Sequence, residues 1–115
     1  MYQNNTFGTE IISVTVADGC ADAYIRFETN LTRILNEKYP GYHCGADIYR
    51  SYVNPNTIII MAVYRNNICN AKELDAELEA FVAAHYAAHF PHVISRSVTT
   101  DQDENVMIDH CYKKC

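Results

Sequence analysis

Tryptophan is absent from the 115 residues, and glycine and proline are scarce at four and three. With 49% hydrophobic and 20% charged residues, such a chain is not disordered or of low complexity. No window approaches the roughly 18 consecutive apolar residues that a membrane span needs. The stretch 1–6 has no basic residues followed by an apolar core, so it does not read as a secretory signal, and the expected location is cytoplasmic. Cysteines number five, at 20, 44, 69, 111 and 115, with no CxxC pair. An odd, scattered set excludes a disulfide framework, and Cys44 reads as a reduced core residue. Cations are outnumbered, nine Lys and Arg against fourteen Asp and Glu, for a net charge of −5. Such a surface repels phosphate backbones, so no nucleic-acid partner is expected, whereas an acidic face suits a basic protein surface.

What is present is an uninterrupted apolar run, Thr57-Ile58-Ile59-Ile60-Met61-Ala62-Val63-Tyr64-Arg65, bounded by Pro55 and Asn66-Asn67. Its length, β-branching and flanking turn residues make it a strand covered on both faces, in the middle of a sheet. Around it the periodicities alternate. Residues 1–9 form a polar lead-in, and 10–16 alternate with period two as a first strand. From 20 to 38, Ala21, Tyr24, Phe27, Leu31, Ile34 and Leu35 recur at three and four, which predicts a helix that Pro40-Gly41 stops. Residues 42–53 alternate again, with Tyr42, Cys44, Ala46 and Ile48 sharing a face, and Asn54-Pro55-Asn56 turns the chain into the central run. A second helix begins at an Asn70 cap and carries Leu74, Leu78, Phe81, Val82 and His85 inward until Pro91. Residues 93–100 make a fourth strand, and 106–112 alternate as a fifth strand or an ordered tail within the segment 101–115.

The order strand, helix, strand, strand, helix, strand is that of a ferredoxin-like α+β sandwich, an antiparallel sheet with two helices on one face and one domain over 1–115. Right-handed crossovers place the first and third strands in the centre. The helix-covered face is then assigned Ile12, Val14, Cys44, Ala46, Ile48, Ile58, Ile60, Ala62, Ile94 and Val98. The opposite face carries Ile11, Ile59, Met61, Val63 and Tyr49, a patch to be covered by the C-terminal segment, by a second copy in a homodimer, or by another protein.

Chemistry-bearing residues are thinly spread. His85 and His89 lie four apart on the second helix with His92 just beyond, and the topology brings Asp18, Cys20 and Asp22 to the same end of the sheet. This is a weak zinc candidate, which His110, Cys111 and Cys115 could extend. His43 and Cys44 are adjacent on a strand and point apart, so they form no dyad. Cys69 precedes a helix N-terminus without a base beside it. The expected binding residues are therefore Tyr49, Arg50 and Tyr52 on the hairpin, Ile59, Met61 and Val63 on the open face, and Glu73 and Glu77 on the acidic helix face. With no catalytic constellation, the sequence reads as a small acidic, non-enzymatic protein-binding module, an inhibitor or adaptor such as a virus-encoded antagonist of a host factor. The alternative is a small ferredoxin-like dimeric enzyme or ligand- or metal-binding protein that uses the His/Cys/Asp end of the sheet.

Overall fold

The apolar run at 57–65 forms the middle strand of a five-stranded antiparallel sheet. The computed structural model describes residues 7–65, 68–100 and 112–114. Its elements are β1 (Phe7–Val16), α1 (Ala21–Lys38), β2 (His43–Ser51), β3 (Thr57–Arg65), α2 (Ala71–His89), β4 (Val93–Thr100) and β5 (Tyr112–Lys114), with strand order β4-β1-β3-β2-β5. Strands β1 to β4 with the two helices make the ferredoxin-like sandwich that the element order predicts, β1 and β3 at its centre. No helix among the described residues is long and apolar enough to cross a membrane.

Register decides which side chains the helices cover. In β1, Ile12, Val14 and Val16 face the helices, and their partners include Ile60 for Ile12 and Ile58 for Val14. One core cluster joins these to Ala21, Tyr24, Ile48 and Phe90, and a second gathers Leu31, Leu35, Tyr42, Ala62, Tyr64, Leu78 and Val82. On the other face Ile11 pairs with Met61, Ser13 with Ile59, Thr9 with Val63, and Tyr49 with Ile59. Ile59 is buried there by its neighbours, while Met61 and Val63 remain half-buried.

Three sequence expectations are corrected. First, Cys44 is exposed and is not a core residue. The β2–β3 register shifts between His43 and Ala46, so His43 opposite Tyr64 and Ala46 opposite Ala62 are separated by two residues. That bulge inverts the alternation: His43 is buried and Cys44 turns out. Second, Ile94 is 69% exposed, because a register shift between Thr15 and Val16 pairs Val16 with Val93 and brings Val93 against the core. Third, β1 begins at Phe7, inside the stretch read as a lead-in. The fifth strand is present as Tyr112–Lys114, paired to the outer edge of β2 from Tyr49 to Ser51. Residues 106–111 lie outside the described residues.

The bulge depends on Gly45, whose φ of +110° is open to glycine but strained for residues with a Cβ. A Cβ placed there meets nothing within 4 Å, so the strain is purely conformational. Gly45→Ala is expected to destabilise the fold by about 1–3 kcal/mol in urea unfolding. An unchanged midpoint would show that the bulge tolerates a side chain.

Candidate active site

Three charged residues occupy positions that the apolar periodicity reserves for the core. Glu10 precedes Ile12, Val14 and Val16 on the helix-facing side of β1. Glu28 lies one turn after Tyr24 and three residues before Leu31 on the buried stripe of α1, and is only 5% exposed. Arg96 sits opposite Val14 on β4, in the helix-facing row. Charges in such places are costly unless partnered, so the partners identify what the region does.

Glu28 is held by two phenols. The Tyr24 hydroxyl donates to its Oε1 at 2.8 Å and the Tyr86 hydroxyl at 2.9 Å, and the two hydroxyls also touch one another. Tyr24 is on α1 and Tyr86 on α2, so the cluster ties the helices together beneath the sheet-facing surface. Burial pushes the Glu28 carboxyl above the ordinary carboxylate range, opposed by these hydroxyls and by Arg96. Burial followed by the Glu28 charge raises both phenols. An aromatic wall surrounds the group, with Phe90 edge-on to Tyr24 at 5.3 Å and Phe27 edge-on to Tyr86 at 5.0 Å.

Glu10 belongs to a second acidic group across the seam. Asp75 and Glu79, four apart on α2, bring carboxylate oxygens within 4.8 Å of one another and of Glu10. Tyr42 reaches Asp75 Oδ1 at 3.4 Å. Burial raises Glu10 to about 7, with the carboxylates of Glu79 and Asp75 adding to the effect and Arg96 opposing it. His43, buried beside this region with Nδ1 2.6 Å from Asn36 Oδ1, is lowered by burial to about 4 and is neutral at neutral pH.

Arg96 links the two groups. Its guanidinium lies 5.3 Å from the centre of the Tyr86 ring, and its buried Nε has no hydrogen-bond partner among the described residues. Among the described residues the ion pairs are Arg33–Glu37 and Arg50–Asp22, neither involving Arg96. A narrow pocket with about 20 Å³ of free volume lies between α1, α2 and the sheet, lined by Glu10, Glu28, His43, Tyr64, Glu79, Tyr86 and Arg96 among apolar side chains. On the outer side of α2 an open groove of about 330 Å³ runs along β4, lined by Val82, Ala83, Ala87, Phe90, Pro91 and Val93. Glu79, Val82, Tyr86 and Arg96 border both spaces. Apolar walls with a few convergent polar groups are the usual make-up of a small-molecule site.

The residues singled out in the sequence lie elsewhere. Tyr49, Ile59, Met61 and Val63 are on the open sheet face, and Arg50 pairs with Asp22 at 2.7 Å while its Nε donates to the Pro55 carbonyl. Tyr52 is exposed at the hairpin, and Glu73 and Glu77 are exposed on α2. Among the described residues the zinc candidate does not assemble. His85 is stacked between Phe27 and Phe81 with its ring 4.5 Å from that of His89, and Asp18 accepts from Asn56. Among the described residues the one trio of His, Cys, Asp or Glu close enough to share an ion is Glu10, Asp75 and Glu79, which includes none of His85, His89, His92 or Cys20. His110, Cys111 and Cys115 are outside the described residues. The sequence signal for Glu10, Glu28 and Arg96 was present: each is a charge in phase with apolar neighbours.

No protein-family model matches the chain, and no curated protein matches it in sequence. Solved structures do match in fold. A proposed antibiotic biosynthesis monooxygenase from Bordetella bronchiseptica superposes with a TM-score of 0.67 at 16% identity, over 86% of this chain and 98% of that one. A second protein of that description, from Nitrosomonas europaea, gives 0.65 at 16% identity, over 87% and 92%. A variant of SnoaB, a cofactor-independent oxygenase from Streptomyces nogalater, gives 0.65 at 13% identity, over 90% and 99%. These neighbours carry the names of antibiotic biosynthesis monooxygenases and an oxygenase. They overturn the expectation of a non-enzymatic protein-binding module, whether inhibitor, adaptor or virus-encoded antagonist, and favour the enzyme or ligand-binding alternative. The physical reason is that Glu10, Glu28 and Arg96 belong to none of the His, Cys or surface patterns on which that expectation rested.

The Glu10 carboxyl moves from an ordinary 4.5 to about 7 on folding. A raised folded value adds stability that is fully present below pH 4.5 and is lost as pH rises through about 7. Glu10→Gln is therefore expected to be more stable than the parent in alkaline solution, by about 1–2 kcal/mol after allowance for partial solvent screening. Urea titrations of both proteins across this range check it, and parallel stability curves would disprove the assignment.

Proposed function

We propose that this chain is a small-molecule oxygenase that works without a bound cofactor, taking its substrate between α2 and the sheet. The observation that carries the reading is Glu10, titrating near 7, lining the same buried pocket as Arg96, whose Nε has no partner among the described residues. The likeness to SnoaB and the monooxygenases supports the fold; the chemistry rests on these residues.

Where no cofactor supplies electrons, oxygen must take them from the substrate, which first has to be made electron-rich. Removing a proton from an acidic C–H or O–H does this. A carboxylate titrating near the working pH is well matched to that task, since it is largely ionised and still basic. Glu10 is that base, and Asp75 and Glu79 keep its proton affinity high. Arg96 supplies a fixed positive charge for the anion that forms, in a site walled from water by Ile12, Leu31, Ile60 and Val82. The apolar groove along β4 takes the body of the substrate, and an enolisable or phenolic molecule meets both demands.

The same reading includes a homodimer. Ile11, Met61 and Val63 form a half-covered apolar patch on the face opposite the helices, and a second copy is its simplest cover. A reducing, cytoplasmic setting suits Cys20, Cys44 and Cys69, all free thiols.

Oxygen uptake with a panel of enolisable and phenolic compounds tests the activity. The rate is expected to rise as pH passes about 7 and then level off, following Glu10 ionisation. Glu10→Gln should lower it about 10²–10⁴-fold and Arg96→Gln about 10²–10³-fold. Absence of uptake across the panel, or full activity in Glu10→Gln, would refute the assignment. Light scattering tests the assembly: the parent should have twice the chain mass and Met61→Lys the single mass. A monomeric parent would rule out the dimer.

A further inference from the structure

We infer that Tyr24, Glu28 and Tyr86 form a three-proton ring in which Glu28 is an un-ionised carboxylic acid at neutral pH, and that Tyr86 delivers one of these protons to an oxyanion in the groove between α2 and β4. The delivery step rests on the small-molecule reading above; the ring does not.

Three oxygens stand mutually at hydrogen-bonding distance: Glu28 Oε1 with each phenol, and the phenols with one another. Three contacts need three protons, and two phenols hold two. With Glu28 ionised, both phenolic protons point at Oε1 and the hydroxyl oxygens face each other with no proton between them. A proton on Oε1 completes the set: the acid donates to one phenol, that phenol to the other, and the second phenol back to Oε1. Burial acts in the same direction. The charged groups around the ring are Arg96 from β4, Glu10 from β1 and Glu79 from α2, all lining the same pocket, and Thr32 of α1 adds a hydrogen bond to Glu28.

Tyr24 is fully buried, whereas Tyr86 borders the groove, so Tyr86 is the ring's outlet. In the delivery step the Tyr86 O–H bond breaks as an O–H bond forms on the oxyanion. The Glu28 proton passes across the 2.9 Å contact to the Tyr86 oxygen. What remains is a Glu28 carboxylate accepting from both phenols, with the Arg96 charge nearby, so the ionised state is also partnered. A proton from solvent restores the ring only after the protonated ligand has left. No oxidant or reductant enters the step. The site thereby holds a base, Glu10, and a separate acid, as reactions that first remove and later return a proton require.

Infrared difference spectroscopy decides the ring. In mildly alkaline solution, where Glu10 is ionised, the parent is expected to keep the C=O stretch of a protonated carboxylic acid that Glu28→Gln lacks; absence of that band from the parent overturns the ring. Should Glu28→Gln fail to fold, Tyr86→Phe serves instead, because losing one edge of the ring should shift the band, and an unshifted band is equally fatal. Delivery is tested with para-nitrophenolate as the probe. Binding to the parent should abolish the yellow phenolate absorbance and the Glu28 band together, while the dye bound to Tyr86→Phe stays yellow. A dye protonated with the Glu28 band intact would place the donor elsewhere and refute delivery. A dye that does not bind would remove the small-molecule reading and delivery with it, leaving the ring to be judged on the resting band.

Discussion

A carboxyl group cannot be taken out of water without partners, and the packing of both helices follows from that constraint at Glu28. An apolar residue at this point would let α1 and α2 settle on the sheet through dispersion and area burial alone. Glu28 instead requires two phenolic hydrogen-bond partners in fixed directions, one from its own helix a turn earlier and one from the facing helix. Meeting that requirement sets the relative position of Tyr24 and Tyr86 and hence of the two helices. It also holds Tyr86 beside Arg96, which defines the border between the narrow pocket and the open groove.

The same layer carries an opposing strain. Glu10, Asp75 and Glu79 are crowded at the seam of β1 and α2, so ionising Glu10 weakens the fold while creating the base that the proposed chemistry needs. Stability surrendered at a working site is a common pattern, because groups arranged for a reaction are rarely arranged for the resting fold. The apolar clusters around Val14, Ile58 and Ile60 on one side and Leu31, Leu78 and Val82 on the other supply the compensating burial. The sheet's outer face takes no part in this arrangement, which leaves Met61 and Val63 available for association.

The site was legible in part. Glu28 completes the spacing from Tyr24 to Leu31, and Glu10 and Arg96 keep the parity of strands otherwise filled with Ile and Val. A charge in phase with a core stripe is a visible signal, distinct from the His, Cys and surface Tyr patterns. Cys44 and Ile94 show the opposite limit. Alternation assigns both to the core, and in each case a register shift beside the residue reverses the assignment.

The sequence by itself determined the two helices, the four main strands, their order and the central place of 57–65, because hydrophobic period and turn residues act locally and each segment carries its own signal. Only the tertiary structure decided that Glu10 meets Asp75 and Glu79, that Tyr24 meets Tyr86, and that Arg96 stands over the aromatic ring of Tyr86. These pairs are brought together by strand register and helix docking, which depend on distances across the fold that no local pattern encodes.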